Sequence, residues 1–251
     1  MDRTLLLRLL EGVRTGSVSP EEAARELAAL PYAEVAEAVV IDHHRELRTG
    51  VPELVFGATK TPPQIAAALR ELAKDGGAIA TRVDADKAAK VKALVPDVVV
   101  HEAARIVALG QPGKRPPCAP ITVVCAGTSD LPVAEEAALV AEFLGAPVTR
   151  ISDVGVAGLH RLLARLEDIR KTQVVIAVAG MEAALPSVLG GLIDKPMIAV
   201  PTSIGYGVSI DGLVALGALL AACAPGISVV NIDNGVGAAV AAVKIARLAV
   251  R

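Results

Sequence analysis

The sequence predicts an α/β protein whose C-terminal half is a doubly wound parallel sheet, preceded by a smaller α/β domain. Past about residue 118, short apolar strands alternate with helical segments, a pattern typical of a parallel sheet with helices on both faces. Apolar residues make up 53% of the 251 residues, so a large core can be buried. Only 2% of the residues are aromatic, so Ala, Val, Leu and Ile must build that core, as expected for a sheet covered on both faces.

The C-terminal half contains five predicted strands and four predicted helices. The strands are expected at 121–125, 148–151, 174–178, 197–200 and 227–231. The helices are expected at 133–144, 160–170, 184–190 and 212–222.

The N-terminal half shows a less regular α/β pattern. Helices are expected at 3–15, from the Ser19-Pro20-Glu21-Glu22 cap to about residue 30, at 64–75 and at 86–94. Strands are expected at 39–41, 54–56, 78–80, 98–100 and 106–108. Residues 110–117 have the Gly, Pro and basic content of a linker. We therefore expect an N-terminal α/β domain over 1–117 and a second domain over 118–251.

Composition excludes several classes of function. A net charge of −2 and the scarcity of aromatic residues argue against a nucleic-acid partner. The uncharged run 212–232 is long enough to cross a membrane, but Pro225-Gly226 divides it into a helix, a turn and a strand. No signal peptide is visible, and three cysteines without CxxC spacing indicate a reducing compartment and no zinc site. We expect a cytoplasmic protein with no membrane partner.

The expected binding site lies at the carboxyl ends of the parallel strands, where ligands bind in such sheets. The loops there, at 126–132, 179–187, 201–207 and 231–237, are rich in small, hydroxyl and amide residues. None matches GxGxxG or GxxxxGK[ST], so neither a Rossmann dinucleotide site nor a P-loop is indicated. Taken alone, the loop at 126–132 is explained equally well as a plain helix cap formed by Ser129 or Asp130. Together the four loops predict an open crevice for a ligand with several oxygens, such as a phosphate.

Two residues in this half stand out chemically. Glu182 follows the third strand and precedes a buried helix, where an unpaired acid is costly. Cys223 ends an apolar helix, and a lone cysteine there is more often a small buried apolar residue. It becomes a nucleophile only with a lowered pKa or a nearby base. Glu182 is that base if the fold brings the two together, which their spacing alone does not show.

The loop sequences resemble a known family. Ala126-Gly127-Thr128-Ser129-Asp130 is similar to the Gly-Ser-x-Ser-Asp signature of PurE-type aminoimidazole ribonucleotide carboxylases. Within that fold the chain looks most like the nickel-pincer nucleotide carboxylases, the LarB family. The stretches that carry this likeness are AGTSDLPVAEEA, DVGVAGLHRLL, VAGMEAALPSVLGG, PMIAVPTSIGYG and CAPGISVVNIDNGVGAA, with DHHRELRTGVPELVFGATKT in the N-terminal half. The resemblance implies a PurE-like, flavodoxin-like three-layer domain and a homo-oligomer, an octamer by that likeness.

One departure separates the two branches of this fold. The purine enzymes carry Ala-Ala-His-Leu-Pro where this chain has Glu182-Ala183-Ala184-Leu185-Pro186. Ala184 thus replaces a histidine that, by the resemblance, transfers a proton, and a methyl group cannot do so. An aminoimidazole ribonucleotide carboxylase or mutase is therefore disfavoured. A non-catalytic nucleotide-binding protein stays open as a third possibility, although Cys223 and Glu182 argue against it.

What the LarB resemblance implies is carboxylation of nicotinic acid adenine dinucleotide at C5 of its pyridinium ring. CO2 or bicarbonate is the co-substrate, and hydrolysis of the phosphoanhydride releases AMP and pyridinium-3,5-biscarboxylic acid mononucleotide. Cys223 would add to the ring as a thiolate, and Glu182 would activate it or remove the ring proton. Phosphoanhydride cleavage is expected to need Mg2+ or a similar cation, whose ligands the sequence does not identify.

The same resemblance assigns substrate contacts in both halves. In the C-terminal loops they are Gly127, Thr128, Ser129, Asp130, Gly180, Met181, Ser203, Gly205, Tyr206, Gly207, Asn231, Asp233, Asn234 and Gly235. The remaining ones are Asp42, Arg45, Arg48, Lys60 and His160. From composition alone Asp42, Arg45, Arg48 and Lys60 are better explained as a solvated charged surface, and His160 as a neighbour of a helix N-terminal cap. Only the family pattern favours a functional role for these five residues.

Overall fold

The structure, a computed structural model of the chain, describes residues 3–28, 32–36, 39–113 and 115–250. The chain divides into two compact units, Met1–Gly113 and Lys114–Arg251. The predicted end of the second helix at residue 30, and Lys114 of the predicted linker, lie outside the described residues.

The N-terminal unit combines helices with two small sheets. Its elements are α1 (Arg3–Thr15), α2 (Pro20–Ala28), β1 (Tyr32–Ala36), β2 (Val39–Asp42), α3 (Arg45–Thr49), β3 (Val55–Phe56), α4 (Pro62–Leu72), β4 (Ala78–Thr81), α5 (Ala85–Leu94), β5 (Val99–His101) and β6 (Ile106–Leu109). β1 and β2 form an antiparallel pair. The other four strands form a mixed sheet in the order β3-β4-β6-β5. Ile65 and Leu69 of α4 are fully buried in its core.

Two helix starts in this unit follow directly from sequence. The Glu22 amide donates to Ser19 Oγ at 3.1 Å, and the Ser19 amide donates to the Glu22 carboxylate at 2.9 Å. This reciprocal pair satisfies two amides that helix geometry leaves without a partner. Thr61 and Gln64 form a second box of the same kind at the start of α4.

The C-terminal unit alternates strands and helices throughout. Its elements are β7 (Ile121–Cys125), α6 (Leu131–Phe143), β8 (Val148–Ile151), α7 (Leu159–Ala164), α8 (Leu166–Arg170), β9 (Val174–Ala179), α9 (Ala184–Gly190), β10 (Met197–Pro201), α10 (Leu213–Leu220), β11 (Ile227–Val229) and α11 (Gly235–Leu248).

The five strands of this unit form one parallel sheet, in the order β11-β10-β9-β7-β8. From β7 the chain moves to one edge at β8, returns to β9 on the other side, and continues outward. Every residue of β7, β9 and β10 is buried, as expected when helices cover both faces. The prediction of a doubly wound parallel sheet is confirmed, with its topological switch point between β7 and β9.

In the N-terminal unit, β1 and α3 were not predicted, and in the C-terminal unit the structure differs from the sequence prediction at two helices. The single helix expected over 160–170 is divided into α7 and α8 at Arg165, whose φ of −105° and ψ of 1° are not helical. α11 was not predicted. It begins where the Asn234 side chain accepts from the Gly237 amide at 2.8 Å. A Cβ at Gly235 would lie 2.7 Å from the Val133 carbonyl oxygen of α6, so glycine permits the close contact of the two helices.

The apolar run 212–232 forms α10, a turn and β11, as predicted. Within the described ranges, no helix has both the length and the apolar character needed to cross a bilayer.

Candidate functional site

A crevice of about 350 Å³ opens at the carboxyl ends of β7, β8 and β9, beside the loop after β10. It therefore lies at the switch point of the sheet, where ligands bind in folds of this type. Its lining residues come from four loops and are Ala126, Gly127, Ser129, Asp130, Asp153, Gly155, Val156, Ala157, Arg161, Ala179, Gly180, Met181, Glu182, Ala184, Leu185 and Ile204.

Asp130 is the buried polar centre of this crevice, with only 4% of its surface exposed. Its carboxylate accepts hydrogen bonds from Thr202 Oγ1 at 2.7 Å and from the Gly127 amide at 3.0 Å. Burial raises the pKa of Asp130 above its ordinary value, although these bonds and one from the Gly180 amide act in the opposite direction. One carboxylate thus connects the loops that follow β7, β9 and β10.

The loops after β9 and β10 are also joined directly. The Met181 amide donates to the Ile204 carbonyl oxygen at 2.8 Å. A Cβ at Gly180 would lie 2.4 Å from that same oxygen and 2.5 Å from Thr202 Oγ1. Only glycine allows the two loops to approach this closely.

Four non-glycine residues at this edge of the sheet adopt a left-handed backbone. The φ angles of Asp153, Met181, Ala183 and Asp233 are 58°, 54°, 49° and 56°. Such residues carry local strain and concentrate at functional sites. Their position supports a functional role for the crevice edge.

Glu182 lines the crevice together with five other predicted site residues: Gly127, Ser129, Asp130, Gly180 and Met181. Glu182 is exposed to solvent. The expectation that an unpaired acid is costly at this position is therefore wrong, because its carboxylate is not buried. The exposure leaves Glu182 accessible to a ligand.

The other predicted loop residues share this edge of the sheet but are not among those that line the crevice. They are Thr128, Ser203, Gly205, Tyr206, Gly207, Asn231, Asp233, Asn234 and Gly235. Several have local structural roles: Asp233 accepts from the Ser203 amide at 2.8 Å, and Asn231 accepts from the Ile232 amide at 2.9 Å. His160 is exposed on α7, and its neighbour Arg161, which sequence reasoning passed over, lines the crevice.

Cys223 lies at the opposite end of the sheet. It precedes β11, and Gly226 in the same turn accepts from the amide of Met197, the first residue of β10, at 3.1 Å. Glu182 instead follows the last residue of β9. The five residues of β10 span on the order of 16 Å at about 3.3 Å per residue. The thiol is exposed, but within one subunit it does not meet Glu182.

Of the four predicted site residues in the N-terminal unit, Asp42 and Arg48 form an ion pair, and the other two are the cations Arg45 and Lys60. Arg48 Nη2 lies 2.5 Å from Asp42 Oδ2, and this hydrogen bond holds the pKa of Asp42 below its ordinary value. Asp42 also accepts from the His44 amide at 3.2 Å. Arg45 is exposed, and Lys60 is half-buried in the loop after β3. Asp42 and Arg48 therefore neutralise each other in the structure as it stands.

No group of three or more His, Cys, Asp or Glu side chains suited to a metal ion occurs in the described part of the chain. These residues therefore do not fit a resident metal held by protein ligands alone.

Fold and site together define a doubly wound α/β protein with an open crevice at the switch point of its sheet. Comparison with known proteins finds a matching protein family for each of the two units. Residues 32–111 match the LarB/PurE-like N-terminal domain, and residues 120–251 match AIR carboxylase. The chain belongs to the family in which a LarB-type N-terminal domain precedes a PurE-like AIR carboxylase domain, a family of carboxylase-type enzymes.

Two relatives, both from Methanocaldococcus jannaschii, illustrate the range of the similarity. An uncharacterized protein, MJ0165, is 38% identical over 249 residues, which cover 96% of each chain. An N5-carboxyaminoimidazole ribonucleotide mutase is 38% identical over 133 residues, which cover 51% of this chain and 79% of the mutase. The first similarity spans both units, whereas the second extends over only about half of this chain.

Proposed function

We propose that this protein carboxylates C5 of the pyridinium ring of nicotinic acid adenine dinucleotide and hydrolyses its phosphoanhydride, which releases AMP. The observation that carries the proposal is that both Glu182 and Ala184 line the switch-point crevice. A carboxylate is available there for proton transfer, and the position of the purine enzymes' histidine holds only a methyl group.

The chemical difficulty is that a cationic ring is a poor nucleophile toward CO2. A thiolate that adds to a ring carbon next to C5 forms a C–S bond and converts the ring into a neutral dienamine. C5 then attacks CO2 and forms the new C–C bond, and Glu182 accepts the C5 proton. The C–S electron pair leaves with sulfur, which restores the aromatic ring. Covalent catalysis thereby divides one difficult step into easier ones.

Cys223 supplies this thiolate from a second copy of the chain. Within one subunit it lies at the amino end of the sheet, whereas Glu182 lies at the carboxyl end. The segment 206–220, which leads from the carboxyl edge of the sheet to the turn that contains Cys223, also exposes large apolar side chains: Tyr206 at 81%, Val208 at 81%, Leu213 at 55% and Leu220 at 70%. Exposed apolar surface of this extent is typical of association sites. A homo-oligomer, which the resemblance puts at eight copies, brings the two residues together.

The loops around the crevice provide the remaining contacts. Hydroxyl groups and amides near Ser129, Ser203 and Asn234 bind ribose, phosphate and ring carboxylate in this proposal. Because the described residues do not form a metal cage, no step is assigned to Mg2+. Assays with and without Mg2+ measure its effect on phosphoanhydride cleavage.

A mutase acting on N5-carboxyaminoimidazole ribonucleotide is the second candidate. One observation favours it: a relative that is 38% identical over about half of this chain is an N5-carboxyaminoimidazole ribonucleotide mutase. Ala184 argues against it, because the proton-transferring histidine is missing.

Incubation with nicotinic acid adenine dinucleotide, bicarbonate and Mg2+ tests these candidates directly. Mass spectrometry should detect the dicarboxylated mononucleotide and AMP, with losses of at least about 100-fold in Cys223→Ala and Glu182→Gln. Cys118→Ala is the matched control, since Cys118 is a half-buried thiol with no role in the proposal. Full activity in Cys223→Ala would refute the covalent mechanism, and conversion of the purine ribonucleotide instead would establish the mutase.

Mixing the two inactive variants tests the shared site. Each oligomer assembled from Cys223→Ala and Glu182→Gln subunits contains some sites with both native residues, so activity should return after denaturation and joint refolding. The same variants refolded separately are the control. If both residues acted within one subunit, no mixture would recover activity.

A further inference from the structure

Among the residues that the structure describes, Arg161 is the one basic side chain that lines the crevice. The same lining contains three carboxylates, Asp130, Asp153 and Glu182. An anionic ligand in this crevice therefore meets three like charges and a single opposite one. Because Coulomb energy grows as the distance and the dielectric fall, the anionic group is held best next to Arg161.

The ion pair that Arg161 forms with Asp153 does not prevent the guanidinium from binding an anionic ligand instead. Arg161 Nη1 forms an ion pair with Asp153 Oδ2, and the two side chains are 40% and 53% exposed. Exposed ion pairs contribute little to stability, so breaking this one is inexpensive. A guanidinium donates to phosphate oxygens through two parallel hydrogen bonds, which are stronger than an ordinary neutral bond.

The guanidinium also lies on a fixed surface. A Cβ at Gly158 would be 2.5 Å from Arg161 Nε and 2.9 Å from Nη2, so the group packs directly over the backbone of that glycine. Gly155 also lies close to the loop after β7, since a Cβ at this position would be 3.0 Å from the Ala126 carbonyl oxygen. The loop after β8 thus holds Arg161 beside the loop after β7.

We propose that Arg161 forms a phosphate subsite at the β8 end of the crevice, and that the guanidinium leaves Asp153 for the phosphate of a bound nucleotide. Asp153 is then the partner that the phosphate must displace, and it competes with the ligand for the guanidinium. The proposal rests on the proposed function only in taking the ligand to be a pyridine nucleotide.

Two probes that differ only in a phosphate test this subsite. Calorimetric dissociation constants are measured for nicotinic acid mononucleotide and nicotinic acid riboside, with the full-length protein carrying Cys223→Ala and without bicarbonate. Arg161→Gln should weaken mononucleotide binding roughly 10- to 100-fold, the range for a lost charge-assisted bond, and leave riboside binding within about twofold. Arg161→Lys should recover only part of the loss, because an ammonium lacks the planar fork.

Three further variants separate recognition from a merely structural role. Asp153→Asn frees the guanidinium and should tighten mononucleotide binding severalfold. Gly158→Ala, whose backbone φ of −123° suits alanine, should displace the guanidinium and weaken only the mononucleotide. Arg165→Gln removes a similarly exposed arginine paired with Asp168 and should change neither constant. Equal losses for both probes in Arg161→Gln, or a weakened mononucleotide in Asp153→Asn, would overturn the subsite.

Turnover and binding give separable outcomes. A protein that shows the phosphate-dependent loss but forms no dicarboxylated product keeps the subsite and loses the proposed function. A protein that forms the product without that loss does the reverse.

Discussion

Replacing Thr202 by valine should reveal how much the buried Asp130 depends on its hydrogen bonds. Thr202 is fully buried, and valine preserves its shape while removing the hydroxyl that donates to Asp130 at 2.7 Å. A hydrogen bond to a charged group contributes about 1.5–3 kcal/mol. We expect Thr202→Val to lower the free energy of unfolding of the C-terminal unit by about that amount at neutral pH.

The loss should depend on pH in a defined direction. The pKa of Asp130 is already raised by burial, so its ionised form opposes folding above that pKa, and losing a donor raises the pKa further. As the pH falls from neutral through the raised pKa, the carboxyl takes up a proton and the penalty disappears. The difference between variant and wild type should therefore shrink toward acid pH.

Thr172→Val provides a matched control. Thr172 is also buried, and its hydroxyl donates to the neutral carbonyl oxygens of Pro120 at 2.7 Å and Val174 at 3.2 Å. Its loss should be about 0.5–1.5 kcal/mol and independent of pH. Urea-dependent hydrogen exchange of β7 and β9 peptides measures the C-terminal unit alone. A Thr202→Val effect that is constant with pH would refute the role assigned to Asp130.

Two further predictions concern the crevice and the thiols. Gly180→Ala should destabilise the C-terminal unit by about 1–3 kcal/mol by overpacking, because its Cβ would lie 2.4 Å from the Ile204 carbonyl oxygen. Thermal unfolding measures this loss. The control is Gly217→Ala, because the new Cβ there has no neighbouring side chain or backbone atom within 4 Å. Native iodoacetamide labelling followed by peptide mass spectrometry should modify the exposed Cys223 first and spare Cys125, which is buried and whose thiol pKa is raised by that burial. Early labelling of Cys125 would contradict the packing of β7.

The strands and most helices were predictable because their signals are local. The apolar strands β7, β9 and β10 are short, buried and bounded by turn residues, and the Ser19 cap fixes the start of α2. α11 escaped prediction because Gly235 and Gly237 at its start have low helix propensity. Gly235 is required by a tertiary contact with α6, which no local pattern contains, and Gly237 makes room for the Asn234 side chain that caps the helix.

The candidate site was less predictable than the fold. Arg161 gave no signal, since an arginine in a helical stretch resembles any solvated charge, and only the packing of the loop after β8 directs it to the crevice. The separation of Cys223 from Glu182, in contrast, is implicit in the strand pattern. One residue precedes a strand and the other follows a strand, and parallel strands place those positions at opposite edges.

The left-handed residues around the crevice bear on how a ligand is bound. Asp153, Met181 and Ala183 hold their backbone in a costly conformation, which persists only where the surrounding fold determines the shape of the loops. A loop whose shape the fold determines loses little conformational entropy when a ligand binds. Affinity at this edge then depends mainly on the match between fixed donors and ligand atoms, and a ligand of slightly different shape is rejected rather than accommodated.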